Sequence, residues 1–179
     1  MKISPTPIEG LFILEPQVFA DTRGFFFESY NRKTLAALGI DTAFVQDNHS
    51  LSLRGTLRGI HYQVRTPQAK LIRVGAGEIF DVAVDLRRSS ATFGRWFAVV
   101  LSAANKLQFF IPRGFGHGFL ALSQTAEVLY KASDYYAPEN ERCIRWDDPD
   151  LAIDWPGGCD LIVSPKDAEG RFLPEADLA

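Results

Sequence analysis

Lys70-Leu71-Ile72-Arg73-Val74-Gly75-Ala76-Gly77-Glu78-Ile79-Phe80-Asp81-Val82-Ala83-Val84-Asp85-Leu86 is the most strongly patterned stretch of the chain. In its second half Phe80, Val82, Val84 and Leu86 alternate with Asp81, Ala83 and Asp85. A period of two is the period of a strand, whose side chains point to opposite faces in turn. Gly75-Ala76-Gly77 separates this run from Leu71-Ile72-Arg73-Val74, so residues 70–86 read as a hairpin with a glycine turn. One face of the second strand is wholly apolar, which makes the Asp81 and Asp85 face the expected solvent side. If that face were buried, Lys70 on the other half of the hairpin is a candidate partner for Asp81.

Outward from there the same grammar continues. Residues 93–101, 107–111, 118–122 and 126–132 read as further strands, with Asn105-Lys106 and Pro112 as breaks. Helical spacing is scarce. Residues 31–38 are the best case, with Asn31 as N-cap, Leu35 and Leu38 on one face and Gly39 as stop, lying on the surface of a sheet. Pro149, Pro156, Pro165 and Pro174 predict irregular loops and one short helix in the last third. Many short strands with one or two short helices predict an all-β sandwich or barrel.

The 179 residues suit one domain, residues 1–179, and form a core without disulfide or metal support. No linker, repeat or low-complexity tract interrupts them. A net charge of −3 with interspersed signs supplies no basic surface for DNA or RNA, so no nucleic-acid partner is expected. Cys143 and Cys159 do not form a CxxC and read as small buried thiols of a reducing compartment. The N-terminal residues lack the apolar core of a signal peptide, and the longest clean apolar run, residues 96–101, is far short of a membrane span. The expectation is a soluble cytoplasmic protein with no membrane partner.

The three histidines, His49, His61 and His117, do not show the HxH or HExxH spacing of metal sites, which favours separate roles. His61 lies in Leu57-Arg58-Gly59-Ile60-His61-Tyr62-Gln63. Strict alternation would put Arg58 and His61 on opposite faces, so a shared site requires a bulge at Gly59. The plain alternative is a surface strand. His117, in Pro112-Arg113-Gly114-Phe115-Gly116-His117-Gly118-Phe119, reads as part of a glycine-rich loop. Asp167 sits in a proline-containing loop, and Tyr130, Tyr135 and Tyr136 near a strand end suit either packing or a phenol donor and a stacking ring. Phosphate-loop, dinucleotide and nucleophile-elbow motifs are missing.

Taken together these segments resemble the dTDP-4-dehydrorhamnose 3,5-epimerase family over roughly residues 8–167. The resemblance rests on Asp21-Thr22-Arg23-Gly24-Phe25-Phe26-Phe27-Glu28, Phe44-Val45-Gln46-Asp47-Asn48-His49-Ser50, Gly55-Thr56-Leu57-Arg58-Gly59-Ile60-His61-Tyr62-Gln63 and Gln68-Ala69-Lys70-Leu71. It continues through Gly77-Glu78-Ile79-Phe80-Asp81-Val82-Ala83-Val84-Asp85-Leu86-Arg87, Pro112-Arg113-Gly114-Phe115-Gly116-His117-Gly118-Phe119, Tyr130-Lys131, Asp134-Tyr135-Tyr136 and Ser164-Pro165-Lys166-Asp167. Ile60 replaces a commoner leucine and Pro165 sits inside the last motif, changes that remove no chemical group. The resemblance implies an all-β, cupin-type (jelly-roll-like) β-barrel, working without metal or other cofactor and usually as a homodimer. It implies epimerisation of dTDP-4-dehydro-6-deoxyglucose at C3 and C5, toward dTDP-L-rhamnose and rhamnose-containing polysaccharide. By the same resemblance His61 is the base, Asp167 its orienting carboxylate, Tyr130 the acid and Lys70 the cation at the C4 oxygen. Arg23, Glu28, Gln46, Asp47, Asn48, Arg58, Lys70, His117, Tyr136, Glu141 and Lys166 match substrate-binding positions, with Tyr136 on the thymine.

Three rival readings make different demands. A single-centre epimerase or ketoisomerase needs the same acid and base. A pure sugar-nucleotide binder needs neither. A metal-dependent oxygenase on the same barrel needs the missing HxH.

Overall fold

A computed structural model of the chain describes residues 1–178. Its strands are β1 (Lys2–Pro5), β2 (Phe12–Glu15), β3 (Phe19–Asp21), β4 (Gly24–Phe26), β5 (Gln46–Leu53), β6 (Thr56–Gln63) and β7 (Lys70–Ala76) in the first half. β8 (Glu78–Asp85), β9 (Trp96–Ser102), β10 (Gln108–Ile111), β11 (Phe115–Ala121), β12 (Thr125–Ala132), β13 (Glu141–Cys143) and β14 (Ile162–Val163) follow. The two short α-helices are α1 (Arg32–Ala37) and α2 (Pro165–Ala168). One sheet runs β1-β2-β10-β7-β12-β5 and the other β13-β6-β11-β8-β9, with β14 parallel to β6. β3 and β4 form a separate small hairpin. The two large sheets face each other around Ile72, Val74, Ile79, Phe109, Phe115, Phe119 and Val128. This is the expected all-β, cupin-type arrangement, built as two facing sheets.

The hairpin read over residues 70–86 is not formed. β7 pairs with β10 and β12, whereas β8 pairs with β9 and β11, so the two strands belong to opposite walls. The glycine turn carries the chain across the sandwich. Gly77 adopts φ +74°, and a Cβ there would lie 2.0 Å from the Thr125 carbonyl oxygen, so only glycine makes the crossing.

The faces of β8 are also the reverse of the expectation. Asp81 and Asp85 are fully buried. The apolar face, with Phe80, Val82, Val84 and Leu86, packs under the C-terminal segment against Ile60, Ile144, Leu151 and Trp155. Both faces are covered, so alternation distinguishes two environments and not water from core. The buried carboxylates are paired, as burial requires. Asp85 accepts hydrogen bonds from Arg87 (2.8 and 2.7 Å), Ser90 (2.6 Å) and Thr92 (2.6 Å). Burial pushes the Asp85 carboxyl up, but these donors outweigh it and hold it at about 2. Asp81 is taken by His117 rather than by Lys70.

The glycine-rich segment around His117 is likewise a strand, not a loop. Every residue of β11 is buried, and Gly116 and Gly118 leave room for Ile60. The strand read from residue 93 starts later because Gly94 turns at φ +75°. The helix forms as read. The Asn31 side-chain oxygen accepts from the amides of Lys33 and Thr34, Gly39 follows at φ +90°, and Leu35 packs against Leu14, Leu71 and Phe110 on the outer face of the first sheet.

Candidate active site

The site begins with a register defect. Between β6 and β11, His61 pairs with His117 and Arg58 with Phe119, so three steps on β6 match two on β11. That extra residue is the bulge the alternation demanded, and it puts Arg58 and His61 on one face. Gly59 makes it at φ +109°, with a hypothetical Cβ only 2.6 Å from the Gly118 Cα. His61 therefore points between the sheets, where its Nε2 donates to the Asp167 carboxylate at 2.5 Å.

Asp167 is held by α2. Ser164 caps that helix by accepting from the Asp167 amide at 3.2 Å, and Pro165 occupies its first turn, where its fixed φ fits and no amide is needed. Burial raises the Asp167 carboxyl, but the hydrogen bonds from His61 and Ser164 outweigh it and keep the group below its ordinary value. An ionised Asp167 fixes the tautomer of His61 with the proton on Nε2 and leaves Nδ1 as the free basic nitrogen.

The facing wall supplies the other groups. Tyr130 pairs with Asn48 on one side and Ile72 on the other, which puts Tyr130, Asn48, Gln46, Ile72 and Lys70 on the inner face of the first sheet. The Lys70 ammonium lies 5.8 Å from the centroid of the Tyr130 ring. Desolvation lowers Lys70 to about 8, against the pull of Asp81 and Glu141. Burial raises the Tyr130 phenol, as does the Glu141 charge, while Arg58 opposes them. Tyr130 thus keeps its proton at neutral pH. Behind this group His117 Nε2 donates to Asp81 at 2.6 Å, and burial holds His117 toward its neutral form.

A polar rim surrounds the opening. Gln46 Nε2 donates to the Asn48 side-chain oxygen at 3.0 Å, and Gln46 Oε1 accepts from the Tyr136 amide at 2.9 Å. The Tyr136 hydroxyl donates to Glu141 at 2.5 Å, and Lys166 pairs with the same carboxylate oxygen. Arg58 Nε donates to Ser52 across the sheets at 3.1 Å. Asn48 Nδ2 is buried without a partner among the described residues, an open donor in a polar setting.

Of the residues read from sequence, His61, Asp167, Tyr130, Lys70, His117, Arg58, Gln46, Asn48, Tyr136, Glu141 and Lys166 gather here. Three others do not. Asp47 alternates outward on β5 and pairs with Lys131 at 2.8 Å. Arg23 is exposed at the tip of the β3–β4 hairpin and pairs with Asp21 at 2.6 Å. Glu28 accepts from Asn31 at 2.9 Å beside α1. His49 faces outward to Glu127, so the three histidines do not converge. Two neighbours of the site were not read from sequence. Asp81 as the partner of His117 follows only from strand order. Cys143, opposite His61 on β13, lies 3.9 Å from Asp167 and carried no signal beyond being a cysteine. Both cysteines are free and only partly buried.

A jelly-roll-like sandwich with an oriented imidazole on one wall and a lysine and a tyrosine on the other defines a cupin-type acid–base enzyme. The family model for dTDP-4-dehydrorhamnose 3,5-epimerase matches residues 5–175. The chain belongs to that family. A relative of that name from Pseudomonas aeruginosa is 55% identical over 178 residues, covering 99% of this chain and 98% of its own. The crystal structure of dTDP-6-deoxy-D-glucose-3,5-epimerase from Legionella pneumophila, solved with dTDP-4-keto-L-rhamnose, is 52% identical with a TM-score of 0.96, covering 98% of this chain and 94% of its own. A dTDP-4-dehydrorhamnose 3-epimerase from Streptomyces niveus is 40% identical and covers 98% of this chain and 86% of its own.

Proposed function

We propose that the chain, acting as one sugar-nucleotide epimerase domain over residues 1–179, inverts dTDP-4-dehydro-6-deoxyglucose at C3 and C5 to give dTDP-4-dehydro-L-rhamnose. The observation that carries this reading is the His61–Asp167 pair on one wall facing Lys70 and Tyr130 on the other. C3 and C5 both flank the C4 ketone, so removal of either proton leaves an enolate with its charge on the C4 oxygen. His61 Nδ1 takes the proton, and Asp167 stabilises the imidazolium that results. The Lys70 ammonium, still mostly charged at neutral pH, lies where it offsets the enolate charge. Tyr130 then delivers its phenolic proton to the opposite face of the carbon, which inverts the centre. Solvent reprotonates the phenolate and removes the proton from His61, so the groups reset without any redox change. General acid–base help contributes about 10²–10⁴-fold, which leaves a large share of the acceleration to the oxyanion interaction.

The rim suits the nucleotide. Arg58 and Lys166 carry the charge that a diphosphate needs. Tyr136 is half exposed and offers a ring for the thymine. Gln46, Asn48 and Glu141 supply directed polar contacts. The remaining charges, Arg23 and Glu28, suit a homodimer. The β3–β4 hairpin presents exposed Phe19, Phe25 and Phe26, a surface that a second copy would cover while Arg23 reaches its sugar nucleotide. Asp47 is left as a sheet-surface ion pair. Among the described residues no helix is long and apolar enough to cross a membrane. Supply of a rhamnosyl donor for polysaccharide suits a location in the cytoplasm, where nucleotide sugars are made.

Incubation with the 4-keto substrate in D₂O, followed by NMR, tests the reading. Deuterium at both C3 and C5 with inverted products is the expected result. Label at C3 alone makes it a single-centre enzyme. Tight binding with no label at either carbon removes His61 and Tyr130 from catalysis.

A further inference from the structure

A His61 ring nitrogen, Cys143 Sγ and an Asp167 carboxylate oxygen all lie within 4.8 Å of one another, and Nε2 is the nitrogen that touches Asp167, at 2.5 Å, with His61 partly open to the interior of the site. We propose that these three side chains form an inhibitory site for a thiophilic divalent cation, Zn²⁺ in the first instance. The three donor types, imidazole, thiolate and carboxylate, are the ones that zinc prefers, and a fourth position is left for water. Zinc bonds of about 2.0–2.3 Å put tetrahedral ligands roughly 3.5 Å apart. The separations between donors therefore need to change by about 1.3 Å or less, with the His61–Asp167 contact opening by about 1 Å and the others closing. Cys143 enters from β13 directly opposite His61, and Asp167 from α2, so the donors come from three separate elements that already meet.

The consequence for turnover follows from the imidazole's two nitrogens. In the resting pair, the proton sits on Nε2 and the lone pair on Nδ1. A cation on Nε2 takes that nitrogen's lone pair and drives the remaining proton to Nδ1. The thiol proton leaves to solvent as the thiolate binds the metal. His61 then has no lone pair directed at the substrate, and Asp167 is tied to the cation. Because the ion takes none of the rim groups Arg58, Tyr136, Glu141 or Lys166 as a ligand, nucleotide binding persists while chemistry stops. This arrest rests on His61 being the base of the proposed reaction. Occupancy of the site does not, so the two can fail separately.

Chelator-treated protein is titrated with ZnCl₂, with CoCl₂ as a spectroscopic substitute and MgCl₂ as a hard-cation control. The expected result is one Zn²⁺ per chain, kcat falling in step with occupancy, unchanged dTDP affinity and recovery with EDTA. Co²⁺ should give a near-ultraviolet thiolate-to-cobalt band. Cys143→Ser should abolish that band and raise the half-inhibitory Zn²⁺ concentration at least ~10-fold, while keeping its metal-free turnover. Cys143→Ala serves if the serine variant misfolds. Equal inhibition of wild type and variant, or no thiolate band, overturns the site. A band with full turnover overturns the arrest and leaves only the binding.

Discussion

Two histidine–carboxylate pairs sit side by side in this molecule and differ in almost everything except length. His61–Asp167 measures 2.5 Å and His117–Asp81 2.6 Å, and the two histidines are register partners on adjacent strands. The His61 side chain is 28% exposed and the His117 side chain 8%. Asp167 reaches its histidine from a short helix 106 residues away, whereas Asp81 lies on the neighbouring strand. Burial keeps His117 toward the neutral state, and Lys70 and His61 add to that effect. The lesson is that a short imidazole–carboxylate contact is not in itself a catalytic device. In the proposed mechanism, access to substrate separates the base from the brace. The Asp81 charge in turn supports the Lys70 ammonium against desolvation.

The sharpest way to break the comparison is to remove each imidazole. His61→Ala should lower kcat by at least ~10³-fold, with dTDP affinity close to wild type. Calorimetry and single-turnover kinetics read both. A variant within tenfold of wild type would take the base away from His61. Asp167→Asn keeps the shape but lets the wrong tautomer form, and the expected loss is about 10²-fold in kcat. Its KM should barely move.

His117→Ala should do the converse. It strands Asp81 in the core and should cost about 3 kcal/mol, which for a chain of this size lowers the thermal midpoint by roughly 6–12 °C. Folded protein at low temperature should keep more activity than either variant of the first pair. The smallest effect is a pH dependence. Lys70 falls from 10.5 to about 8 in the folded protein, so it is charged below that pH and neutral above it. Stabilisation of the enolate is therefore present at neutral pH and lost as pH rises through about 8, giving a one-proton alkaline fall in kcat/KM. Lys70→Arg should abolish that limb, since guanidinium stays charged. An unchanged limb in Lys70→Arg would assign it to another group.

Much of this was legible in the chain itself, for identifiable reasons. Period-two runs and their breaks mark β7 to β12 and the scarcity of helix, and Asn31 and Gly39 mark α1 because caps are local chemistry. The bulge at Gly59 followed from needing Arg58 and His61 on one face. What alternation does not encode is which sheet a strand joins. β7 and β8 were read as partners because they are adjacent in sequence, and their separation depends on contacts with β10, β11 and β12. The same gap hid the inward direction of Asp81, since a strand covered on both faces looks identical to one half in water. The identities of the site residues came from motif resemblance, while Cys143 and the Asp81–His117 contact belong to tertiary register alone. Arg23 and Glu28 matched in sequence yet stand apart from the site in the single chain, where they pair with Asp21 and Asn31.

The crossing at Gly77 also bears on how the chain reaches this state. A local hairpin would form in about 1–10 μs and serve as a nucleus. Here the most strongly patterned segment of the sequence has no partner in its own neighbour, and each half must wait for strands from later in the chain. Loop closure therefore precedes most of its stabilising contacts, which places folding in the millisecond-to-second range of all-β domains rather than the microsecond range. During that wait the apolar run of β8 is uncovered, and its capture by the C-terminal segment is the step that retires it as an aggregation risk.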